Sequence, residues 1–241
     1  MINIDILPEP ICVSIGEQSC EAILAALNEI KFAEIRLDVS RITLPEIRSV
    51  FSCGKLLVAT CREGFYSKSE RIERLVEAIH AGAAFVDVET ESDDDYIQAV
   101  AKEAKLNKCY LIVSYHNFDS TPSVPEMCDI VNTCIKQGAD VVKIATTAKD
   151  QSDLTKIALL YEKRFDTDLI AFAMGETGLV TRLICISNGA PWTYASISDD
   201  KTLASGQIPA KNVRCIINNV NEMRELNRLV RKLQEESMEN E

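Results

Sequence analysis

The chain has 241 residues, of which 46% are hydrophobic and 26% are charged, and it carries a formal net charge of −11 at pH 7. This composition supports a sizeable apolar core and excludes an intrinsically disordered chain. The negative charge excludes nucleic acid as an expected partner, since phosphate backbones are bound mainly by clustered lysine and arginine. The length fits one large domain, because a single α/β barrel typically takes about 250 residues.

The nine cysteines show no CxxC or CxxH spacing. Cys12, Cys61 and Cys109 fall inside or beside apolar runs, which predicts reduced and buried thiols. No apolar run approaches the roughly 18 residues that cross a membrane, and the amino-terminal stretch lacks the pattern of a signal peptide. We therefore expect a cytoplasmic protein without a membrane segment.

Eight short runs rich in Val, Ile and Leu recur along the chain and predict buried strands. They are Ile11–Ile15, Phe32–Asp38, Leu56–Arg62, Phe85–Glu89, Tyr110–His116, Val141–Thr147, Leu169–Gly175 and Trp192–Ser198. Their first residues lie 21 to 31 positions apart, which leaves room for one helix between successive strands. Their near-continuous apolar character is typical of a parallel sheet covered by helices.

The stretches between these runs carry apolar residues at helical spacing, as in Lys68–Ile79, Asp153–Tyr161 and Val213–Leu233. Gly82 and Gly138 stand where glycines end a helix just before a strand. The sequence thus predicts a single-domain α/β fold, a (β/α)8 TIM barrel over residues 1–233, followed by a polar, acidic tail at 234–241. A doubly wound open sheet is the alternative.

Polar residues gather towards the carboxyl ends of the predicted strands, where barrel enzymes place their catalytic groups. They are Glu34, Arg36 and Asp38 on strand two, Thr60 and Arg62 on strand three, Asp87 and Glu89 on strand four, Ser114 and His116 on strand five, and Lys143 on strand six. Alternation along a strand places those of strands two, four and five on one face. Buried charges must pair, so this arrangement predicts a salt-bridge layer, a functional site, or both.

Lys143 and His116 are the two candidate reactive groups. Lys143 is flanked by apolar residues in VVKIA, and a desolvated lysine amine is a competent nucleophile towards carbonyls. The alternative is a structural lysine paired with Glu89 or Asp87. His116 is either a proton carrier or a structural histidine, and its position one strand before Lys143 favours the first role. His80, at the end of a helical stretch, is expected to contact a helix carboxyl end.

Two loops near the carboxyl end of the chain supply further candidates. Gly175 and Gly178 follow strand seven and could bind phosphate, while Arg182 could hold a substrate carboxylate. Ser205 and Gln207 precede the last helix, where Gln207 could bind ligand hydroxyls, although such a loop is also an ordinary turn.

The motifs EIRLD, VSYHNF followed by TP, VVKIA, GETGLVTR and SGQIP occur in this order on strand ends. With them the chain resembles type I 3-dehydroquinate dehydratase over nearly its whole length. The resemblance implies dehydration of 3-dehydroquinate to 3-dehydroshikimate in the shikimate pathway of aromatic amino-acid biosynthesis, by a homodimer without metal or cofactor. It fits a stand-alone enzyme as well as one domain of a fusion with the next pathway enzyme.

The same resemblance implies a role for each matching residue. Lys143 would form the Schiff base, and His116 would be the general acid and base. The substrate-binding residues would be Ser14, Glu34, Arg36, Arg62, Arg182, Ser205 and Gln207, with Arg182 on the substrate carboxylate. The supporting residues would be Glu89, which orients His116, Met174, which lines the pocket, and Asp87.

Two segments depart from the family pattern. The family shows an EGG segment several residues after the arginine of strand three, whereas here Glu63 follows Arg62 directly and no second glycine is present. Where the family has SAPGQ or TAPGQ, this chain has LASGQ, so Leu203 replaces an expected substrate-binding hydroxyl. Thr202 and Ser205 are the candidate replacements.

Two other functions compete with this hypothesis. A class I aldolase acting on a phosphorylated sugar would also use a Schiff base, with Gly175–Gly178 as its phosphate loop. The final two loops lack a convincing phosphate-site pattern, which argues against it. A non-catalytic barrel that binds or supports other molecules is the third hypothesis, and the charged strand ends argue against that one.

Overall fold

The computed structural model describes residue 2 and residues 4–220. The predicted boundary between barrel and tail at residue 233, and the predicted helix beyond residue 220, lie outside these described residues. The described residues form eight strands: β1 (Ile11–Ile15), β2 (Phe32–Arg36), β3 (Leu56–Thr60), β4 (Phe85–Glu89), β5 (Tyr110–His116), β6 (Val141–Thr147), β7 (Asp168–Met174) and β8 (Thr193–Ser196). The eight predicted strands are therefore confirmed in number and order.

Helices separate these strands. They are α1 (Cys20–Leu27), α2 (Leu37–Ser40), α3 (Leu44–Phe51), α4 (Lys68–His80), α5 (Asp94–Leu106), α6 (Val124–Lys136), α7 (Gln151–Tyr161) and α8 (Gly175–Ser187), with a short 3-10 helix at Ile4–Ile6 and a final helix at residues 210–220. Capping boxes begin α4 at Ser67 and α6 at Ser123. Gly82 and Gly138 follow the carboxyl ends of the same two helices with φ of 108° and 94°, which confirms them as helix-ending glycines.

All eight strands run parallel in one sheet of order β7-β6-β5-β4-β3-β2-β1-β8. Consecutive strands are neighbours from β1 to β7, and β8 returns to pair with β1, so the sheet curls into a nearly closed barrel. A doubly wound sheet would reverse its strand order at the middle, so this order confirms the (β/α)8 prediction. The seam lies between β7 and β8.

The predicted ends of four strands, β2, β3, β7 and β8, are wrong, and β8 ends at Ser196 instead of Ser198. The chain turns into α2 directly after Arg36, and Arg41 ends that helix with a left-handed φ of 55°. Asp38 therefore lies on a helix and not on the face of β2, although its carboxylate still pairs with Arg36 at 2.6 Å. Strand β3 ends at Thr60, before Arg62, and Gly175 begins α8 instead of ending β7.

The core has two parts, one between the barrel and the helices and one inside the barrel. Inside the barrel, the rings of Phe32, Phe85 and Trp192 pack at centroid distances of 5.1 to 5.9 Å.

All nine cysteines are free. Cys61 and Cys109 are buried as predicted, and burial raises the pKa of both thiols to about 12. Within the part of the chain that the structure describes, no helix is long and apolar enough to cross a membrane.

Candidate active site

A cavity of about 280 Å³ opens at the carboxyl ends of the strands. Its lining consists of Ser14, Glu34, Arg36, Arg62, Glu63, Glu89, His116, Phe118, Lys143, Ala145, Phe172, Met174, Arg182, Tyr194, Leu203, Ala204 and Gln207. Ten of the twelve predicted site residues are in this set, and the other two, Asp87 and Ser205, contact its members. Residues that lie far apart in the sequence therefore meet at one end of the barrel.

Lys143 occupies the floor of this cavity and is only 5% exposed. Its Nζ lies 3.2 Å from Oδ2 of Asp87 and 3.5 Å from Oε1 of Glu34. The same nitrogen lies 4.0 Å from the centroid of the Tyr194 ring. The lysine is thus paired with Asp87, as one hypothesis predicted, and it also faces the cavity, as the other required.

The two carboxylates beside the amine are held in place by hydroxyl groups and arginines. Glu34 accepts hydrogen bonds from Ser14 at 2.9 Å and from Thr60 at 3.0 Å. Burial by itself would raise the pKa of Glu34, but the charges of Lys143, Arg36 and Arg62 lower it to about 2. Glu34 is therefore ionised at neutral pH.

Asp87 accepts a hydrogen bond from Ser114 at 2.6 Å and another from Nη2 of Arg62 at 3.1 Å. Arg62 also donates to the Ser114 hydroxyl at 2.9 Å. Because Asp87 binds both Arg62 and Lys143, it fixes the two cations relative to each other. This network supplies the pairing that buried charges require.

His116 faces the same cavity and stacks on Phe118 with ring centroids 6.1 Å apart. Burial and the positive charges of Arg62, Lys143 and Arg36 lower its pKa well below the usual 6.5, so its imidazole is neutral at pH 7. Its buried Nδ1 has no hydrogen-bond partner among the described residues, so the predicted contact with Glu89 is not made in this structure. Glu89 instead pairs with Arg62 at 3.3 Å and with Arg71 at 3.6 Å, because these cations attract its carboxylate.

Arg182 is buried to 2% exposure and differs from the other arginines of the cavity. Its Nη2 donates to the Ser205 carbonyl at 3.2 Å, and its guanidinium lies 4.2 Å above the Phe172 ring. Its Nε has no hydrogen-bond partner in the part of the chain that the structure describes. Among the described residues, no carboxylate lies within salt-bridge distance of it. Burial lowers its pKa to about 10, so it is still a cation at neutral pH. A buried cation without a counter-ion is suited to bind an anion.

The segment after β8 covers one side of the cavity. Gln207 accepts a hydrogen bond from the Leu203 backbone at 2.8 Å and donates to the Ser14 hydroxyl at 3.2 Å. The Leu203 side chain fills space beside Gly16, where an added Cβ would stand 2.9 Å from Leu203 Cδ2. Neither Thr202 nor Ser205 lines the cavity, so in this structure neither hydroxyl replaces the one missing at Leu203. Ser205 contributes its carbonyl oxygen to Arg182 instead.

Gly178, in the first turn of α8, has a packing function. An added Cβ on Gly178 would stand 2.5 Å from the Ala173 carbonyl oxygen, so α8 can cross β7 this closely only with glycine there. The phosphate-loop hypothesis for Gly175–Gly178 therefore gains no support. In the described part of the chain, no group of three or more His, Cys, Asp and Glu residues is arranged as a metal site.

Three aromatic residues of the cavity are not predicted from the sequence, namely Phe118, Phe172 and Tyr194. Tyr194 lies under Lys143, Phe172 under Arg182, and Phe118 beside His116. The available signal was alternation, since Phe172 lies two residues before Met174 on β7 and shares its face. Alternation alone does not separate an aromatic residue of the core from one of the site.

Fold and site together define a (β/α)8-barrel enzyme that presents a lysine amine, a neutral imidazole and an unpaired arginine to one small cavity. The family model described as Type I 3-dehydroquinase matches residues 11–224, and the chain belongs to this family. The aldolase and the non-catalytic barrel are thereby set aside.

Relatives and solved structures agree with this assignment. Proteins named 3-dehydroquinate dehydratase from Desulfotalea psychrophila and Dehalococcoides mccartyi are 34% and 33% identical, covering 86% and 88% of this chain and 96% of each relative. The structure of the type I enzyme from Clostridium difficile superposes with a TM-score of 0.80 at 23% identity, covering 89% of this chain and 93% of the other. The 3-dehydroquinate dehydratase from Aquifex aeolicus gives 0.71 at 25% identity, covering 85% and 95%.

Proposed function

We propose that this chain carries out the reaction of its family, the dehydration of 3-dehydroquinate to 3-dehydroshikimate in the shikimate pathway, through an imine on Lys143. The observation that supports it most directly is the enclosure of the Lys143 amine in a small cavity that also holds a neutral His116. An amine can attack a ketone there, and an unprotonated imidazole can accept a proton.

The reaction runs in three stages with atoms and charges conserved. His116 first takes a proton from the Lys143 ammonium, and the free amine bonds to the ketone carbon of the substrate. The ketone oxygen then leaves as water with one proton from the amine and one returned by His116, which gives a protonated imine and a neutral imidazole. His116 then removes the proton from the carbon next to the imine, whose positive charge draws off the electron pair. The hydroxyl on the following carbon leaves with a proton from His116 as water. A water molecule finally hydrolyses the imine and releases the product and the free lysine.

Binding of the substrate follows from the remaining charges and donors. Arg182 is the residue for the substrate carboxylate, because it is buried without a carboxylate partner in the described chain. The proposed contacts to the other oxygens come from Ser14, Glu34, Arg36, Arg62 and Gln207, while Ser205 acts through its carbonyl on Arg182. Asp87 and Glu89 hold the cations, and Met174 supplies an apolar wall. The proposed mechanism uses these side chains and requires no metal or cofactor.

The proposal is tested by trapping the imine. Incubation with 3-dehydroquinate and sodium borohydride should add the mass of the reduced adduct to the peptide that contains Lys143. Lys143→Met should abolish this adduct, whereas Lys156→Met, which removes a lysine of α7 paired with Asp153, should leave it unchanged. An unmodified Lys143 in folded, substrate-saturated protein would overturn the mechanism.

We also propose that the chain forms a homodimer and works in the cytoplasm. Val180 and Ile184 are exposed one turn apart on α8 and offer an apolar contact surface. Nine free cysteines suit a reducing compartment. Light scattering should give twice the chain mass of 26.8 kDa, and Val180→Lys with Ile184→Lys should halve it. A monomeric wild-type protein would contradict the proposal.

A further inference from the structure

The ring of Tyr194 is the third neighbour of the Lys143 nitrogen and the one that carries no formal charge. Tyr194 lies on β8, is 3% exposed, and has its ring centroid 4.0 Å from Nζ. The ring packs between Phe172 and Trp192, with centroids 6.3 and 6.4 Å away. These contacts hold the ring under the amine, where it is part of the cavity surface.

The carboxylates and the ring bind the nitrogen in different ways. Asp87 and Glu34 accept hydrogen bonds, so each needs an N–H of the lysine. An ammonium group offers three N–H donors, but a protonated imine offers one. At least one of these two hydrogen bonds is therefore lost when the imine forms.

The face of the Tyr194 ring still attracts the nitrogen after the ammonium has become a protonated imine. A cation above an aromatic ring is held by the ring quadrupole, which acts on the charge and requires no N–H donor. The protonated imine is also planar and can lie flat on the ring. The attraction is stronger where water is excluded, as it is at this buried position.

We propose that Tyr194 is a catalytic residue whose ring stabilises the positive charge of the imine on Lys143 after a carboxylate hydrogen bond has been lost. This inference rests on the proposed function, because it requires the imine to form. It assigns the effect to the ring and not to the phenolic hydroxyl.

The test separates the ring from the hydroxyl. Tyr194→Phe keeps the ring and should retain kcat/KM within about 2-fold, whereas Tyr194→Leu should lower kcat/KM and the borohydride-trapped fraction by about 10-fold. Incorporation of mono-, di- and trifluorophenylalanine at position 194 weakens the negative ring face with little change in shape. Both quantities should then fall stepwise with each fluorine.

The outcomes distinguish this inference from the one it rests on. If the wild-type protein forms no trapped imine, the proposed function fails. If the wild-type protein is trapped but Tyr194→Leu is trapped equally well, only the role of Tyr194 fails. The fluorinated series decides the matter if Tyr194→Leu does not fold, since a purely structural ring would give the same rates at every degree of fluorination.

Discussion

The interior of the barrel has two ends that differ in chemistry although they are built on the same strands. Phe32 on β2 and Phe85 on β4 belong to the apolar end, and two residues further along the same strands stand Glu34 and Asp87. Val141 and Lys143 make the same step on β6. Alternation decides which residues point inward, and the position along the strand decides whether they are apolar or charged.

The two ends make opposite contributions to the folded protein. The apolar end gains free energy from every side chain it buries and needs no specific partner. At the charged end the desolvation of Lys143, Glu34 and Asp87 is offset by close counter-charges, whereas Arg182 has none in the described chain. Replacing such ions by apolar residues is often neutral or stabilising. We therefore expect stability to depend mainly on the apolar end and activity on the charged one.

The largest effect should follow from removing the proton carrier of the charged end. His116→Ala should lower kcat by about 10² to 10⁴-fold, because a positioned acid–base group contributes that much, and should leave the unfolding midpoint nearly unchanged. Steady-state kinetics and thermal unfolding measure the two quantities. His80→Ala is the matched control, as His80 pairs with Glu103 on the surface and should not affect kcat. Equal activity of His116→Ala and wild type would remove His116 from the mechanism.

The reverse pattern is expected at the apolar end. Phe85→Ala removes a fully buried ring that packs on Phe32 and Trp192, and should cost about 3 to 5 kcal/mol of unfolding free energy. The kcat of the folded fraction should change only a few-fold. Urea unfolding checks this, with Leu106→Ala, at a surface position that is 69% exposed, expected within about 0.5 kcal/mol of wild type. A loss of kcat as severe as in His116→Ala would show that the two ends are not separable.

Low pH should remove the contribution that the ionised Glu34 carboxylate makes to the free energy of unfolding. Its pKa of about 2 lies below the roughly 4.3 of a free glutamate, so the ionised form stabilises the fold above pH 4.3, and this contribution is lost as the pH falls through 2. Between pH 5 and 2 the wild type should lose about 3 kcal/mol that Glu34→Gln does not lose. Urea titrations at several pH values give the difference, and parallel curves for the two proteins would argue against the depressed pKa.

The smallest expected effect concerns the rim of the charged end. Gly16→Ala places a methyl group about 3 Å from the side chains of both Leu203 and Val39. A shift of Leu203 would disturb its backbone N–H, which holds Gln207. We expect KM to rise about 3-fold, since a flexible side chain relieves part of the overpacking. Leu203→Ala in the same background should restore KM. A double variant no better than Gly16→Ala would place the cause elsewhere.

The sequence predicted the barrel and most of the cavity because both follow from local periodicity. Glu34, Lys143 and His116 alternate with apolar neighbours on short strands, and the barrel rule then brings their carboxyl ends together. Asp38 was misplaced because the turn into α2 interrupts β2 without a glycine or proline to mark it.

The contacts between side chains inside the cavity depend on distances that a local sequence pattern does not contain. Glu89 and His116 lie on adjacent strands, yet Arg62 and Arg71 approach the carboxylate and leave the imidazole without it. Tyr194 has the sequence environment of any core aromatic residue, and only its contact with Lys143 sets it apart. Which of several inward-facing groups touch is set by packing across the barrel.

Because the guanidinium of Arg182 has no carboxylate partner in the described chain, the stability of the folded protein should depend on whether a ligand is bound. A carboxylate that neutralises this guanidinium binds the folded chain and not the unfolded one, so it shifts the unfolding equilibrium by mass action. At a ligand concentration 100 times the dissociation constant this shift is about 2.7 kcal/mol, comparable to the removal of a large core side chain. The protein should therefore resist heat and proteolysis best while its cavity is occupied.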